Sequence, residues 1–263
     1  MLLTARAQLR MDAGLHDAAI ADLEGALVLD AAEVAPALVA GLHRQRDAAR
    51  EAGNADIERA ATLRLVEVLT LQDRRDEARA ALGEWIERDR KDSAALQLLV
   101  ELDTLDERWD AVVKSCGRLV AIEQGDAQTH AAMRLADACR QLGRPEDAKA
   151  GLEHARRKQP GNVEIRDALR EVYEQIGAER ELARLLAAEA DETEDAEARA
   201  ALRRRASELF VAQGDTEAAL PLIQALLEAR PDDLGAALLL SDTYLALDEV
   251  DAAAGVLETA YGD

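Results

Sequence analysis

The stretch Thr129–Asn162, THAAMRLADACRQLGRPEDAKAGLEHARRKQPGN, contains one complete helix–turn–helix pattern. Gly143 lies near its centre, and Ala148 and Leu152 follow at the i, i+4 spacing of one helix face. Pro160 closes the pattern. Glycine favours the left-handed backbone that ends a helix, and proline cannot continue one. The stretch therefore predicts two antiparallel helices joined by a tight turn.

The same pattern recurs along the chain. Gly214 is followed by Ala219 and Pro231 at the offsets of the first stretch, and Gly14 is followed by Ala19. The residue five positions after each turn marks the repeats, which are Ala19, Ala78, Val112, Ala148, Leu182, Ala219 and Ala253. After a first interval of 59 residues, successive markers are 34 to 37 residues apart. Such a period indicates helix pairs that pack on their neighbours in an array.

Composition indicates an all-α fold. Hydrophobic residues make up 49% of the 263 residues, aromatic residues 2%, and only five prolines occur. Alanine and leucine favour helices, and no alternating run of strand length is present. We therefore predict about fifteen helices in a single domain over residues 1–263.

The period near 34 residues, the turn glycine and the closing proline resemble the tetratricopeptide repeat. Thr129–Asn162 carries nearly the whole family pattern, and Ala200–Asp233 and Leu234–Asp263 carry much of it. The resemblance implies a right-handed α-solenoid of antiparallel helix pairs, in which the first helix of each pair lines a concave groove.

Three units depart from the family pattern. Val163–Glu194 has Arg170 where a small residue is usual. In the two units Arg59–Asp92 and Ser93–Asp126, Asp73 and Glu107 replace the turn glycine. These departures leave the predicted helix pairs in place.

Two places break the rhythm of the repeats. The interval of 59 residues requires an extra helix near residues 34–53, which we place at Val34–Ala52 with Pro36 in its first turn. The second irregularity is Glu189–Glu197, an expected acidic turn before a long helix ending near Gln213. Within it, Asp191–Glu197 is expected to be solvated.

Charge and targeting signals restrict the partner and the compartment. The formal net charge of −21 disfavours nucleic acid, because phosphate binding needs basic patches. Most of the acidity is interpreted as solvated helix faces. No apolar run is long enough to cross a membrane, and the stretch Met1–Arg6 is too short and too soon charged to resemble a signal peptide. We therefore expect no membrane insertion and a cytoplasmic protein. A periplasmic location stays open if the chain is a segment. Abundant alanine and arginine favour a bacterial source.

No catalytic or cofactor motif is present. The four histidines and two cysteines show no metal-ligand spacing, and no glycine-rich phosphate loop or nucleophile motif occurs. Cys116 and Cys139 occupy predicted core positions, as an expected reduced apolar pair. We therefore predict no enzyme activity, no cofactor and no metal.

The resemblance points to one candidate surface. In the family, the residue after the small position of each first helix faces the groove. Here that position is acidic in six consecutive units, at Glu67, Glu101, Asp137, Glu171, Glu208 and Asp242. Arg134 and Arg204 lie near the same surface and would make its charge mixed. The acidic positions would attract a basic segment. The alternative is that acidic residues are simply common at this position.

These observations lead to a functional expectation. We expect a non-catalytic protein–protein interaction scaffold that holds a peptide or a partner helix in the groove. A peptide-sensing regulatory domain and an accessory region of a larger protein are the alternatives. Because no polar final helix follows Val256, Leu257 and Ala260, we expect the ends to be covered by further repeats or by another subunit.

Overall fold

The computed structural model describes residues 2–27 and 31–261. Gly262 and Asp263, the last two residues of the unit Leu234–Asp263, lie outside these ranges. Within them the chain forms no strand and fifteen α-helices, which confirms the predicted all-α class and the predicted number. The helices are α1 (Leu2–Asp12), α2 (His16–Leu27), α3 (Ala31–Glu51), α4 (Ala55–Leu71), α5 (Arg75–Arg88), α6 (Ser93–Leu105), α7 (Trp109–Ile122), α8 (Gly125–Gln141), α9 (Pro145–Lys158), α10 (Val163–Ile176), α11 (Glu179–Glu192), α12 (Ala196–Ala212), α13 (Thr216–Ala229), α14 (Leu234–Ala246) and α15 (Val250–Tyr261).

The chain divides into two compact units, residues 1–138 and 139–263. In the first unit each helix from α1 to α7 packs against the next in sequence, and in the second the same holds from α9 to α15. This is the packing of an α-solenoid of antiparallel helix pairs. We call the even-numbered helices from α4 to α14 the first helices and the odd-numbered helices from α5 to α15 the second helices. A single solenoid domain over residues 1–263 stays a prediction.

The tight turns lie where the sequence predicts them. Gly14, Gly143 and Gly214 all have positive φ angles between 62° and 75°. Asp73 and Glu107, which replace the glycine in two units, also adopt the left-handed conformation, with φ of 59° and 54°. The turn geometry is therefore retained even where the residue that favours it is absent.

All seven repeat markers are buried, as expected for residues between paired helices. The second helices begin with a carboxylate in the first turn, such as Asp76 in α5 and Asp110 in α7. A carboxylate at this end is favoured by the helix dipole. Asp92, Asn162 and Asp233 precede first helices, and each accepts a hydrogen bond from a backbone amide of the following turn.

The extra helix is present as α3, which starts three residues before the predicted Val34. The placement of Pro36 in the first turn is therefore wrong, since Pro36 is the sixth residue of α3. A proline there leaves the carbonyl four residues earlier without its helical donor. Gly41 permits a close approach of α1, because a Cβ at this position would overlap Met11.

The predicted acidic turn at Glu189–Glu197 is largely helical. Glu189 lies within α11 and is buried, with its carboxylate paired to Arg170 and 3.5 Å from Arg166 Nε. The turn is confined to residues 193–195, where Asp195 caps α12 by accepting from the Ala198 amide at 2.7 Å. Arg170, the residue at the usual small position, thus has a carboxylate partner on the next helix.

Candidate functional site

The six acidic positions occupy one register of the first helices. Each is exposed on its own helix, from α4 to α14. In five of the six the residues directly before and after are buried, and in α10 half-buried Arg170 precedes Glu171. Neighbours along a helix differ by about 100° in direction, so a residue between two buried ones projects from a narrow strip of surface. Glu67, Glu101 and Asp137 belong to the first unit, and Glu171, Glu208 and Asp242 belong to the second.

The acidic positions of the first unit differ in their ionic partners. Glu67 accepts from Arg64 at 2.6 Å, and Arg64 also lies 2.7 Å from Glu24 of α2. Glu101 makes neither a hydrogen bond nor an ion pair with any residue that the structure describes. Asp137 is exposed on α8. Exposed pairs contribute about 0–1 kcal/mol, so Arg64 does not block Glu67 as a binding group.

The second unit shows the same variation. Glu171 accepts a hydrogen bond from Gln175 at 3.2 Å and lies 3.6 Å from Arg140 Nε. Glu208 lies 3.7 Å from Arg205. Asp242 has no ion pair within the described ranges. The carboxylates of this register are therefore exposed, and at least three of them, Glu67, Glu171 and Glu208, are partly neutralised by a nearby arginine.

The two candidate arginines lie in different surroundings. Arg134 of α8 donates to the hydroxyl of Thr104 at 3.2 Å. Arg204 of α12 forms an ion pair with Asp233, the N-cap of α14. Arg204 and Glu208 line one cleft of about 300 Å³ on α12 and α13, so the structure brings these two predicted site residues together. Basic and acidic side chains both line this cleft, and the mixed charge predicted for the groove as a whole stays a prediction.

Sequence reasoning missed the buried ion pairs between successive helices. Asp103 of α6 and Arg79 of α5 are both buried and lie 3.0 Å apart. Glu58 of α4, 1% exposed, lies 2.9 Å from Arg50 and 3.1 Å from Arg88. The interpretation of the acidity as solvated helix faces is wrong for these carboxylates.

The pKa values of two buried carboxyl groups, Asp103 and Asp92, are shifted in opposite directions. Desolvation raises the pKa of Asp103 above its usual value against the opposing charges of Arg108 and Arg79. At Asp92 burial also acts upward, but hydrogen bonds from Arg59, Trp85 and the Ala95 amide outweigh it and lower the pKa. A signal for such pairs exists in the sequence, since Arg59 and Asp92 are 33 residues apart, about one repeat period.

The two cysteines are buried and free. Burial raises the pKa of Cys139 to about 11, so its thiol stays protonated near neutral pH. No group of three or more histidine, cysteine or acidic side chains suited to a metal ion occurs in residues 2–27 and 31–261. Over the same residues no helix is both long enough and apolar enough to span a bilayer.

A comparison with protein families identifies the repeat. Residues 210–260, which run from the end of α12 into α15, match the family model described as tetratricopeptide repeat. These residues therefore carry a tetratricopeptide repeat. This confirms the resemblance inferred from the glycine, alanine and proline spacing. No curated protein matches the sequence.

Solved structures with similar helical arrays have low sequence identity. A tetratricopeptide repeat protein from Parabacteroides merdae is 16% identical over 99% of this chain and 91% of its own, with a TM-score of 0.36. YrrB, described as having an unusual peptide-binding site, is 15% identical over 67% and 88%, with a TM-score of 0.37. Naa15/Naa10 bound to HypK-THB is 16% identical over 86% and 37%, with a TM-score of 0.45. These similarities concern the fold alone.

Proposed function

We propose that this protein is a non-catalytic protein–protein interaction scaffold whose exposed acidic register binds a partner carrying a basic segment. The repeat fold supports a protein or peptide as the partner. The observation that carries the proposal is the exposure of an acidic side chain at one register of every first helix from α4 to α14.

The physical basis is electrostatic. Within each unit, helices pack 8–10 Å apart, so equivalent residues on alternate helices are separated by roughly 20 Å. Arginine and lysine side chains of an extended peptide or a helix can pair with successive carboxylates at this spacing. Such contacts raise the association rate and orient the partner, and salt weakens them.

The arginines near the register would add specificity. Arg134 and Arg204 are half-buried and held by Thr104 and Asp233, so they offer donors in fixed positions beside the acidic side chains. A partner with a carboxylate among its basic residues would fit this surface better than a uniformly basic one. Nucleic acid fits poorly, because phosphate would meet the acidic side chains.

Affinity capture from the source cell, followed by mass spectrometry, would identify the partner. The test then compares the wild-type protein with a Glu101→Lys/Asp137→Lys/Glu171→Lys variant. We expect this variant to lose most of its affinity for that partner, and the remaining binding to depend less on salt.

A matched control variant has the same net charge as the triple-lysine variant. Glu87, Glu228 and Glu258 are exposed on second helices, and their replacement by lysine adds equal positive charge outside the register. The control should keep its affinity within about twofold. Equal losses of affinity in both variants would mean that binding depends on the net charge of the protein and not on the acidic positions of the first helices. A cytoplasmic location, a bacterial source and covered chain ends stay predictions.

A further inference from the structure

Two clefts occupy equivalent places in the second unit. One lies among α9, α10 and α11, has a volume of about 260 Å³, and is lined by Arg156, Arg157, Leu169, Tyr173, Arg184 and Leu185 among others. The other lies among α13, α14 and α15 and has a volume of about 690 Å³. For each of the six residues named, the residue 71 positions later in the sequence lines this second cleft. These residues are Leu227, Glu228, Leu240, Tyr244, Gly255 and Val256. We call the first the arginine cleft and the second the Tyr244 cleft.

The tyrosines confirm that the two places correspond. The hydroxyl of Tyr173 donates to Glu153 at 3.0 Å, and Gln224 donates to the hydroxyl of Tyr244 at 3.1 Å. In both clefts the partner lies 20 residues before the tyrosine, on the preceding second helix. The repeat therefore builds the same framework twice.

The chemistry on that framework differs. Arg156, Arg157 and Arg184 of the arginine cleft correspond to Leu227, Glu228 and Gly255 of the Tyr244 cleft. Since the second cleft forms without any arginine, packing of the repeat does not require these three side chains. Three guanidinium groups around one small cleft are also unusual for a chain in which 53 acidic residues face 32 basic ones.

These guanidinium groups are available to a ligand. Arg157 and Arg184 are exposed, and neither has an ion pair within 4 Å among the residues described. Arg156 lies 3.6 Å from Glu192, but its buried Nη1 has no hydrogen-bond partner among those residues.

The acidic side chains of the cleft already have partners. Glu181 accepts from Lys149 at 2.6 Å, and Glu153 accepts from Tyr173. The pKa of Glu181 is lowered mainly by Lys149 and also by the charge of Arg184. Neither carboxylate forms an ion pair within 4 Å with Arg157 or Arg184 among the described residues, so donors of both guanidinium groups are open to a ligand.

The arginine cleft is separate from the acidic register. Leu169 and Tyr173 are each two residues from Glu171 on α10, which places them about 200° around the helix axis from it. A ligand in the arginine cleft would leave Glu171 free for the partner proposed above.

We propose that the arginine cleft binds a carboxylate side chain from an acidic, partly apolar segment of a partner protein. Its volume lies below the roughly 300–1,000 Å³ of sites that enclose a small molecule, which favours one inserted side chain. Arg157 and Arg184 pair with the carboxylate, since guanidinium groups bind carboxylates through charge-assisted hydrogen bonds. Exposed Ala188 and the small accessible part of Leu185 line the cleft and contact the apolar part of the segment.

The test is an NMR titration that follows the backbone amides of Leu185 and Ala188, which line the cleft. The probes are the peptide acetyl-Ala-Leu-Glu-Leu-Ala-amide, the same peptide with glutamine in place of glutamate, and inorganic phosphate. We expect the glutamate peptide to bind about tenfold more tightly than the glutamine peptide. Arg157→Gln/Arg184→Gln should remove that difference.

The Tyr244 cleft supplies the matched control. Glu228→Gln alters the residue that corresponds to Arg157 and should leave binding of the glutamate peptide unchanged. Equal affinity for the two peptides, or no shift at either amide, would overturn the proposal. Phosphate binding that the glutamate peptide does not displace would overturn the assignment to a partner side chain. Because both arginines are exposed, the double variant should keep the wild-type circular dichroism spectrum.

Discussion

Arg79 Nε lies 3.0 Å from Asp103 Oδ1, and both side chains are about nine-tenths or more buried between α5 and α6. Such a pair pays a large desolvation cost, which the raised pKa of Asp103 reflects. Removing one partner leaves the other charge buried without full compensation.

We therefore expect Asp103→Ala to lower the free energy of unfolding by about 2 kcal/mol, less than for an isolated buried pair because Arg79 keeps ion pairs with Asp106 and Asp76. The double variant Arg79→Leu/Asp103→Leu should stay within about 1 kcal/mol of wild type, because it removes both buried charges and keeps the volume. Urea unfolding followed by circular dichroism measures both values. A double variant as unstable as Asp103→Ala would show that the pair stabilises the fold beyond its desolvation cost.

The capping carboxylate Asp92 should make the free energy of unfolding depend on pH in the acidic range. Its pKa lies below the ordinary value of 3.8 despite burial, because Arg59, Trp85 and the Ala95 amide donate to it. A lowered carboxyl pKa contributes stability that is full above the unfolded value and is lost as the pH falls through the folded value.

We expect the free energy of unfolding to fall more steeply below about pH 4 in the wild type than in Asp92→Asn. Urea unfolding at a series of pH values measures the slopes. Asp89→Asn is the control, since Asp89 is exposed and its carboxylate accepts a hydrogen bond only from the Lys91 amide among described residues. Equal slopes in wild type and Asp92→Asn would contradict the role of Asp92.

Gly41 of α3 should be coupled to Met11 of α1. An alanine at Gly41 gains roughly 1 kcal/mol of helix propensity but forces the end of the Met11 side chain to move. We expect Gly41→Ala to be neutral or destabilising in the wild type and stabilising in a Met11→Ala background. A double-mutant cycle of unfolding free energies gives the coupling, and additive effects would mean that Met11 relaxes freely.

Cys139 should be unreactive in the folded protein. Its thiol is buried and its pKa is about 11, so very little thiolate is present near neutral pH. In a Cys116→Ser variant, labelling by an aromatic disulfide reagent near pH 8 should be absent without denaturant and complete in urea. Rapid labelling of the native protein would show that α8 opens locally.

Much of the fold is predictable from sequence because repeat spacing and turn chemistry agree. Ala148 and Ala219 define the register of the second helices, and both are buried. The repeat period alone places Asp73 and Glu107 in turns, and their φ angles agree.

The features that sequence does not predict depend on which side chains meet across helices. The frequency of proline in first turns favours that place for Pro36, yet α3 begins five residues before it. The acidic neighbours of Glu189 favour a turn at this position, but Glu189 is helical and pairs with Arg166 and Arg170 of α10. In an acidic chain, the sequence does not show which carboxylates are paired with an arginine on a neighbouring helix.

Three turn residues other than glycine adopt the left-handed backbone conformation, and this has a mechanical consequence. Asp73, Glu107 and Asp248 each hold a backbone conformation that costs an ordinary residue about 1 kcal/mol. In a helical array each hairpin contacts only its neighbours, so this conformational cost lowers the stability of that hairpin and not of the whole array. Under a pulling force, we expect these three hairpins to unfold first and one at a time, while the hairpins with a glycine in the turn stay folded.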